Sequence, residues 1–317
     1  MGMDKTLSQD PVTSVHTPDT AAMAAKAAAK AARKAAKLVE LMELARTKAA
    51  AVKVDLTAYD VILVNSSAGK DSQAMLDLVV EQAAAAGVMD RVVVVHCDLG
   101  RVEWQGTREL AEEQARHYGV RFEVVSRLQG DLLQQVEERG MWPDSQARFC
   151  TSDQKRGQVA RVMTKLAAEV AARTGGGRPA RILNCMGLRA QESPERAKKS
   201  PFGRDARASN LGKRHVDTWL PIFAWTTDEV WARIRVSGVR HHFAYDLGMP
   251  RLSCAFCVLA SRGALLLAAK HNPALLDEYV RVEQKIGHTF KKSLPIVQIR
   301  DEVRAGAEVG PVESWCM

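Results

Sequence analysis

Val61-Ile62-Leu63-Val64-Asn65-Ser66-Ser67-Ala68-Gly69-Lys70-Asp71-Ser72 sets an apolar, β-branched run before a turn of small residues and a helix-forming segment opening near Asp71. A strand-to-helix turn of this kind leaves backbone N–H groups without helical partners and aims them outward, with the positive end of the helix dipole behind them. Lys70, Ser67 and Ser72 stand beside those amides, so residues 67–72 are expected to cradle phosphate. The common P-loop spacing is absent. It would need a glycine where Val64 stands and a Ser or Thr where Asp71 follows the lysine. The plain alternative is an ordinary surface turn, which any α/β protein can build from such residues.

Working outward, strand and helix alternate. Residues 61–65, 91–97, 121–126 and 181–186 are short β-rich runs, and residues 72–86, 105–118, 131–139 and 155–174 carry helical patterns. This predicts an α/β fold: a doubly wound, mostly parallel sheet covered on both faces, with ligand at the carboxyl ends of the strands. Gly175-Gly176-Gly177 marks a flexible connection. Beyond Trp219-Leu220-Pro221 the pattern turns helical, with a capping box at Thr226 and Glu229 opening a helix and residues 262–285 reading as two helices broken at Asn272-Pro273. The expected organisation is a disordered leader (1–20), a basic Ala/Lys-rich helix (21–53), a nucleotide-binding α/β domain (54–220) and a helical C-terminal region (221–317).

The helical arm carries Lys26, Lys30, Arg33, Lys34, Lys37, Arg46 and Lys48 against Glu40 and Glu43. Its larger apolar residues, Leu38, Leu41, Met42 and Leu44, bunch in the second half, so only that half is expected to dock, on its own domain or on a second copy in a homodimer. The sharper reading is a basic arm that tracks a DNA or RNA backbone. The net charge of +8 agrees with anionic partners. With 46% hydrophobic and 26% charged residues, wholesale disorder is excluded for this 317-residue chain. No run nears the roughly 18 apolar residues of a membrane span and no signal-peptide centre is present, so the expectation is a cytoplasmic protein with no membrane partner. Met1-Gly2-Met3-Asp4-Lys5-Thr6 matches a myristoylation pattern too short to carry weight. Six cysteines without a secretion signal argue for metal or redox chemistry over disulfides.

Three further constellations carry chemistry. The second strand ends at His96-Cys97-Asp98-Leu99-Gly100, setting Asp98 beside the first turn to bind ribose hydroxyls or Mg²⁺, or merely to open a loop. Gly187-Leu188-Arg189-Ala190-Gln191-Glu192-Ser193 leaves the fourth strand; Arg189 offers a planar donor for phosphate or sulfate, and Glu192 can orient it or a metal. After it, Lys198, Lys199, Arg204, Arg207, Lys213, Arg214 and His215 read as a basic loop, either a mobile lid over the anion or a solvated stretch. Cys254 and Cys257 have the spacing that lets two thiolates grip one metal centre.

Jointly these motifs resemble the PP-loop ATP pyrophosphatases of the adenine nucleotide alpha hydrolase superfamily, and Lys70 points to the branch of the phosphoadenosine-phosphosulfate (PAPS) reductases. The resemblance runs from about residue 61 to 283 and includes Arg148-Phe149-Cys150 with Lys155, Pro221 with Trp225, and Tyr245-Asp246-Leu247-Gly248. Ala68 stands where that loop has its first glycine, which is expected to limit backbone rotation there.

The resemblance implies a Rossmann-like sheet and an adenine nucleotide, ATP or APS/PAPS, with Mg²⁺. The nucleotide would be held by Ser67, Ala68, Gly69, Lys70, Asp71, Ser72 and Asp98 together with Gly187, Arg189 and Glu192. Lys70, Asp71 and Arg189 are the implied catalytic residues. Cys150, Cys254 and Cys257 are the implied ligands of a [4Fe–4S] cluster, with structural zinc or free thiols as alternatives. Thr151 replaces the second of two adjacent cysteines found in cluster-bearing reductases, leaving Cys97, Cys185, Cys316, a non-cysteine ligand or an open iron. Proteins of DNA phosphorothioation and tRNA thiolases fit this description, which implies ATP-dependent sulfur transfer with a sulfur donor protein. The alternatives are a sulfonucleotide reductase using Cys316 and thioredoxin, although the glycine and histidine expected after that cysteine are missing, and a nucleotide-binding regulator without catalysis.

Overall fold

The computed structural model describes residues 20–312; residues 1–19 of the expected leader, and Cys316 at the other end, lie outside the described residues. The chain divides between Glu40 and Leu41 into two units. Helix α1 (Thr20–Ala50) is rich in alanine and free of glycine and proline, which is sufficient for its length of 31 residues. In the first unit Lys26, Arg33 and Lys37 are exposed. The last turns of α1 belong to the second unit, where Met42 and Ala45 are buried and Lys48 Nζ donates to Ala197 O at 3.3 Å; Leu44 stays exposed.

The second unit is built on one sheet. Its elements in order are β1 (Val61–Ser66), α2 (Lys70–Ala85), β2 (Val92–Cys97), α3 (Thr107–His117), β3 (Arg121–Val125), α4 (Leu132–Arg139), α5 (Phe149–Thr151), α6 (Gly157–Thr174) and β4 (Ala180–Cys185). Then follow α7 (Pro194–Ala197), β5 (Phe202–Arg204), β6 (Arg214–Trp219), α8 (Thr227–Ser237), α9 (Arg262–His271), α10 (Pro273–Ile286) and α11 (Ile296–Arg304). The strand order is β3-β2-β1-β4-β6-β5, and every pairing is parallel except β5 with β6. The chain winds outward from β1 to β3 and then returns to the other side of β1 at β4. That reversal opens a crevice at the carboxyl ends of β1 and β4, where doubly wound sheets bind ligands.

Strand periodicity divides the core. Val61, Leu63, Val93, Val95, Ile182 and Val216 meet Val162, Met163, Leu166 and Val170 of α6 on one face. Ile62, Val64, Val92, Val94 and Leu183 meet Ala74, Met75, Leu76 and Val79 of α2 on the other. Both faces being covered explains why these strands read as continuous apolar runs. A separate core lies under α9 and α10, where Trp142 stacks on Tyr279 at 5.3 Å; Cys97, Cys150, Cys254 and Cys257 pack against its edge.

Two elements differ from the sequence expectation. The basic stretch read as a lid or solvated loop contains β5 and β6, with Arg204, Arg214 and His215 inside strands. Arg214 is held by Ala208 O and Thr164 Oγ1, and Asp217 is buried against the Tyr59 hydroxyl at 2.9 Å. The expected helix from 155 begins as α5, passes through a π-helical turn (Ser152–Arg156) and only then becomes α6, so Cys150 sits on a helical lead-in. No helix among the described residues is long and apolar enough to cross a membrane.

Candidate nucleotide and thiol site

The crevice is a cavity of about 690 Å³ whose wall includes Ser66, Ser67, Gly69, Asp71 and Ser72 at the end of β1 and Gly187 and Glu192 beyond β4. Asn65 Nδ2 ties the two strand ends together, donating to Asn184 Oδ1 at 2.7 Å and Cys185 O at 2.9 Å. The turn between β1 and α2 is tightly braced. Ser67 N–H donates to Ser72 Oγ (3.1 Å), Ser72 Oγ–H to Gly69 O (2.9 Å), Ala68 N–H to Ser66 Oγ (3.2 Å) and Lys70 N–H to the Tyr245 hydroxyl (2.8 Å). Side chains thus occupy part of what the sequence suggested were outward amides. Those of Gly69, Asp71 and Ser72 find no acceptor among the described residues, an arrangement able to cradle an anion.

Ala68 was expected to restrain this turn. It instead adopts φ 54°, the left-handed conformation, with its side chain fully buried. That geometry costs an alanine about 1 kcal/mol relative to glycine, and the bracing hydrogen bonds impose it.

Gly187 is required for close approach. A Cβ there would lie 2.9 Å from Asp71 O and 3.1 Å from Ser72 N, both backbone atoms at the start of α2. Gly187→Ala is therefore expected to push the loop after β4 away from the start of α2, lowering stability by about 1–3 kcal/mol in urea unfolding and weakening nucleotide binding in the same protein.

Behind the cradle lies a buried charge cluster. Asp71 Oδ1 accepts from Arg189 Nε at 2.6 Å and Asp71 Oδ2 from Lys70 Nζ at 3.3 Å. Burial pushes the Asp71 carboxyl up, but the Lys70 and Arg189 charges outweigh it and hold the group below its ordinary value. Lys70 goes the other way: burial lowers its ammonium more than Asp71 restores. Lys70 Nζ also donates to Pro250 O at 3.2 Å, and Arg189 is spent on Gln191 Oε1, Trp225 O and Thr227 Oγ1. Lys70 and Arg189 are 4% and 3% exposed and stay off the cavity wall, so they position Asp71 from behind. Asp98 is also off the wall, accepting from Gly100 N at 2.8 Å and facing Arg108 at 3.5 Å.

Of the basic stretch read as a lid, Arg207 reaches the wall, and so do cations the sequence did not assign to the anion, among them Arg156 and the Glu192-paired Arg196 and Arg251, together with Arg148. Glu192 Oε2 also accepts from Arg189 N–H at 3.0 Å, which fixes the loop after β4. Tyr245, Glu103 and Lys155 complete the set. The family resemblance marked Tyr245 and Lys155 as motif members, but Glu103 carried no sequence signal, and only the fold gathers the three from separate segments.

The same cavity carries Cys97, Cys150, Cys254 and Cys257. Cys185 is instead buried in the core beside β1, which removes it from the set of potential ligands. Burial drives three thiols up: Cys97 to about 11, Cys254 to about 12, and Cys257 as well. Lys155 stands among them. Burial pushes its ammonium down, but Cys254, Glu103, Cys97 and Cys150 together win and raise it. All these cysteines are free, and among the described residues no group of three or more His, Cys, Asp or Glu converges closely enough to hold a single metal ion. Four thiols on one wall beside a cation nevertheless supply the donor type that a thiolate-ligated iron–sulfur centre takes, a group whose sulfurs stand farther apart than the roughly 4 Å set by zinc–sulfur bonds of about 2.3 Å.

With this geometry in place, the family can be assigned: residues 61–260 match the phosphoadenosine phosphosulfate reductase domain. The chain belongs to that family. Among curated relatives, this PAPS reductase domain protein is 25% identical over 222 residues to an uncharacterized protein of Methanocaldococcus jannaschii, covering 70% of the chain and 41% of the relative. It is 27% identical over 154 residues to an uncharacterized protein of Escherichia phage 186, covering 49% and 42% respectively. The chain thus spans about two fifths of the length of these relatives. Among solved structures it is similar to PAPS reductase from Candida auris in a phosphate complex (TM-score 0.39, 15% identity, 68% of this chain and 87% of that one). It is also similar to the U34-tRNA thiolase NcsA of Methanococcus maripaludis with its [4Fe–4S] cluster (TM-score 0.38, 13% identity, 87% and 84%). The six-stranded, mostly parallel sheet flanked by helices is the doubly wound α/β architecture expected from the sequence.

Proposed function

We propose that this protein binds ATP in the crevice and uses it for sulfur transfer to an oxygen-bearing acceptor, a nucleic acid or a related molecule. One observation supports the reading above others: free amides at the start of α2 and the thiols of Cys150, Cys254 and Cys257 face one cavity. An acceptor oxygen would attack the α-phosphorus, the bond from that phosphorus to the bridging oxygen would break, and pyrophosphate would leave; a sulfur nucleophile would then displace AMP. In this scheme the amides of Gly69, Asp71 and Ser72 bind the departing pyrophosphate. Arg196 and Arg251 neutralise charge from the cavity side. Arg189 and Lys70 hold Asp71 in place. Mg²⁺ would enter with the phosphates, and any contact to Asp71 or Asp98 must compete with the partners those carboxylates already have.

Cys150, Cys254 and Cys257 would hold a [4Fe–4S] cluster, with Cys97 the one further cysteine on the described wall. Such a group supplies soft-ligand chemistry for holding and delivering sulfur. The chain's own share is to ionise the thiols on ligation and to balance that charge with Lys155.

Incubation with ATP, Mg²⁺ and candidate nucleic acids is expected to yield AMP and pyrophosphate in equal amounts. Sulfite released from APS or PAPS with a reductant would favour the reductase reading suggested by the family's description, and nucleotide binding without any turnover would favour a regulator. The basic face of α1 supports a nucleic-acid acceptor. Deleting residues 1–40, which form a separate unit, should weaken DNA or RNA binding and flatten its dependence on salt, measured by titration between 50 and 200 mM salt, roughly the range over which phosphate contacts are lost. A sulfur donor protein or thioredoxin, and pairing of two copies, would complete the system in the cytoplasm.

A further inference from the structure

Tyr245 is the residue at which the phosphate turn and the cysteine segment meet. Its hydroxyl oxygen accepts the Lys70 N–H at 2.8 Å, the first amide of α2, and the Leu252 N–H at 3.3 Å, two residues before Cys254. The ring is fixed edge-on by Trp231 at 5.0 Å and His241 at 6.2 Å. A Cβ on Gly69 would stand 3.3 Å from the same hydroxyl, which places it against the free amides of the turn. Tyr245 is also part of the cavity wall.

Proton bookkeeping at that oxygen is decisive. Two N–H groups already point at it, so its acceptor capacity is used and its own hydrogen must go to something else. Among the described residues the hydroxyl donates to no acceptor. Burial keeps the phenol protonated, so the donor persists at neutral pH. A donor polarised by the first amide of a helix, on the cavity wall beside the free amides of the turn, suits an oxyanion such as a phosphate oxygen.

We propose that Tyr245 is a substrate-contacting residue whose hydroxyl donates to an oxyanion of the nucleotide's phosphate chain, so that phosphate binding also tightens the Pro250–Leu252 segment leading to Cys254. The proposal rests on the nucleotide reading above. Lys70 Nζ strengthens the link by donating to Pro250 O at 3.2 Å, giving the turn a second tie to the same segment.

Tyr245→Phe keeps the ring and removes the donor. Calorimetric titration of the full chain is expected to show ATP and inorganic pyrophosphate binding about tenfold more weakly to Y245F, with adenosine binding unchanged. Equal affinity of Y245F and wild type for ATP and pyrophosphate, or an equal loss for adenosine, overturns the proposal. A wild-type protein that binds neither ATP nor pyrophosphate overturns the nucleotide reading itself and this inference with it. Should Y245F fail to fold, hydrogen exchange on the wild type decides. Pyrophosphate is expected to slow exchange at both the Lys70 and Leu252 amides, and protection of Lys70 with no change at Leu252 overturns the coupling.

Discussion

Asp71→Asn is expected to lower the unfolding free energy by about 3 kcal/mol and to abolish nucleotide turnover together. The reason is that Asp71 is held between two cations with almost no access to water: its side chain is 19% exposed, against 4% for Arg189 and 6% for Lys70. Removing one partner of such a cluster leaves uncompensated charge in a poorly solvated place, which is costlier than the intact cluster is favourable. Asparagine keeps the size and can still accept from Arg189, so the loss measures charge and not a cavity. The sign with pH follows. The Asp71 carboxyl lies below its usual 3.8 in the folded protein, so its stabilisation is fully present above about pH 4 and disappears as pH falls through the folded value. The wild-type stability curve should therefore fall in acid by more than that of D71N, and the two should converge. Lys70 in D71N loses the partner that raises its ammonium, so that group moves further down. Urea unfolding at pH 7 and pH 3 reads both effects; parallel curves for the two proteins would remove the charge cluster from the account.

Much of the fold was legible because local and global signals agree. The runs Val61–Val64 and Val92–Val95 are apolar at every position, which fits only a sheet covered on both faces, and the small residues after β1 fix where the helix begins. β6 was not legible because its sequence, Arg214-His215-Val216-Asp217-Thr218-Trp219, alternates polar and apolar groups irregularly. Its buried aspartate is satisfied by a tyrosine 158 residues away. The site was legible as a set of motifs but not as directions. Arg189 and Lys70 are charged, and charged groups near a phosphate loop are read as facing the anion; the structure turns both inward because Asp71, Trp225 and Pro250 offer them acceptors there. Tyr245 was legible as part of the Tyr245-Asp246-Leu247-Gly248 motif but not as a partner of the phosphate turn. Its role arises from a hydroxyl meeting two amides from segments that only the finished fold brings together.

Cys254→Ala and Cys150→Ala are each expected to bleach anaerobically reconstituted protein, eliminating a broad absorption near roughly 400 nm that thiolate-bound iron–sulfur centres give. The thermodynamics make loading conditional. With burial pushing the Cys254 thiol up to about 12, the apoprotein holds that sulfur far less ionised than a free cysteine, so alkylation by iodoacetamide at pH 8 should be slow. Metal ligation must expel that proton, so loading should release protons to the buffer and weaken steeply as pH falls. Lys155 offsets part of the cost, since its ammonium lies within reach of Cys97, Cys150 and Cys254. Cys97→Ala separates two arrangements. If Cys97 is a fourth ligand, its loss lowers the iron content along with the colour; if three cysteines suffice, iron stays near four per chain and only the electronic spectrum shifts. A colourless protein that binds zinc in equal amount, or fast alkylation of Cys254 in the apoprotein, would dismiss the cluster and leave the thiols as structural neighbours of the nucleotide crevice.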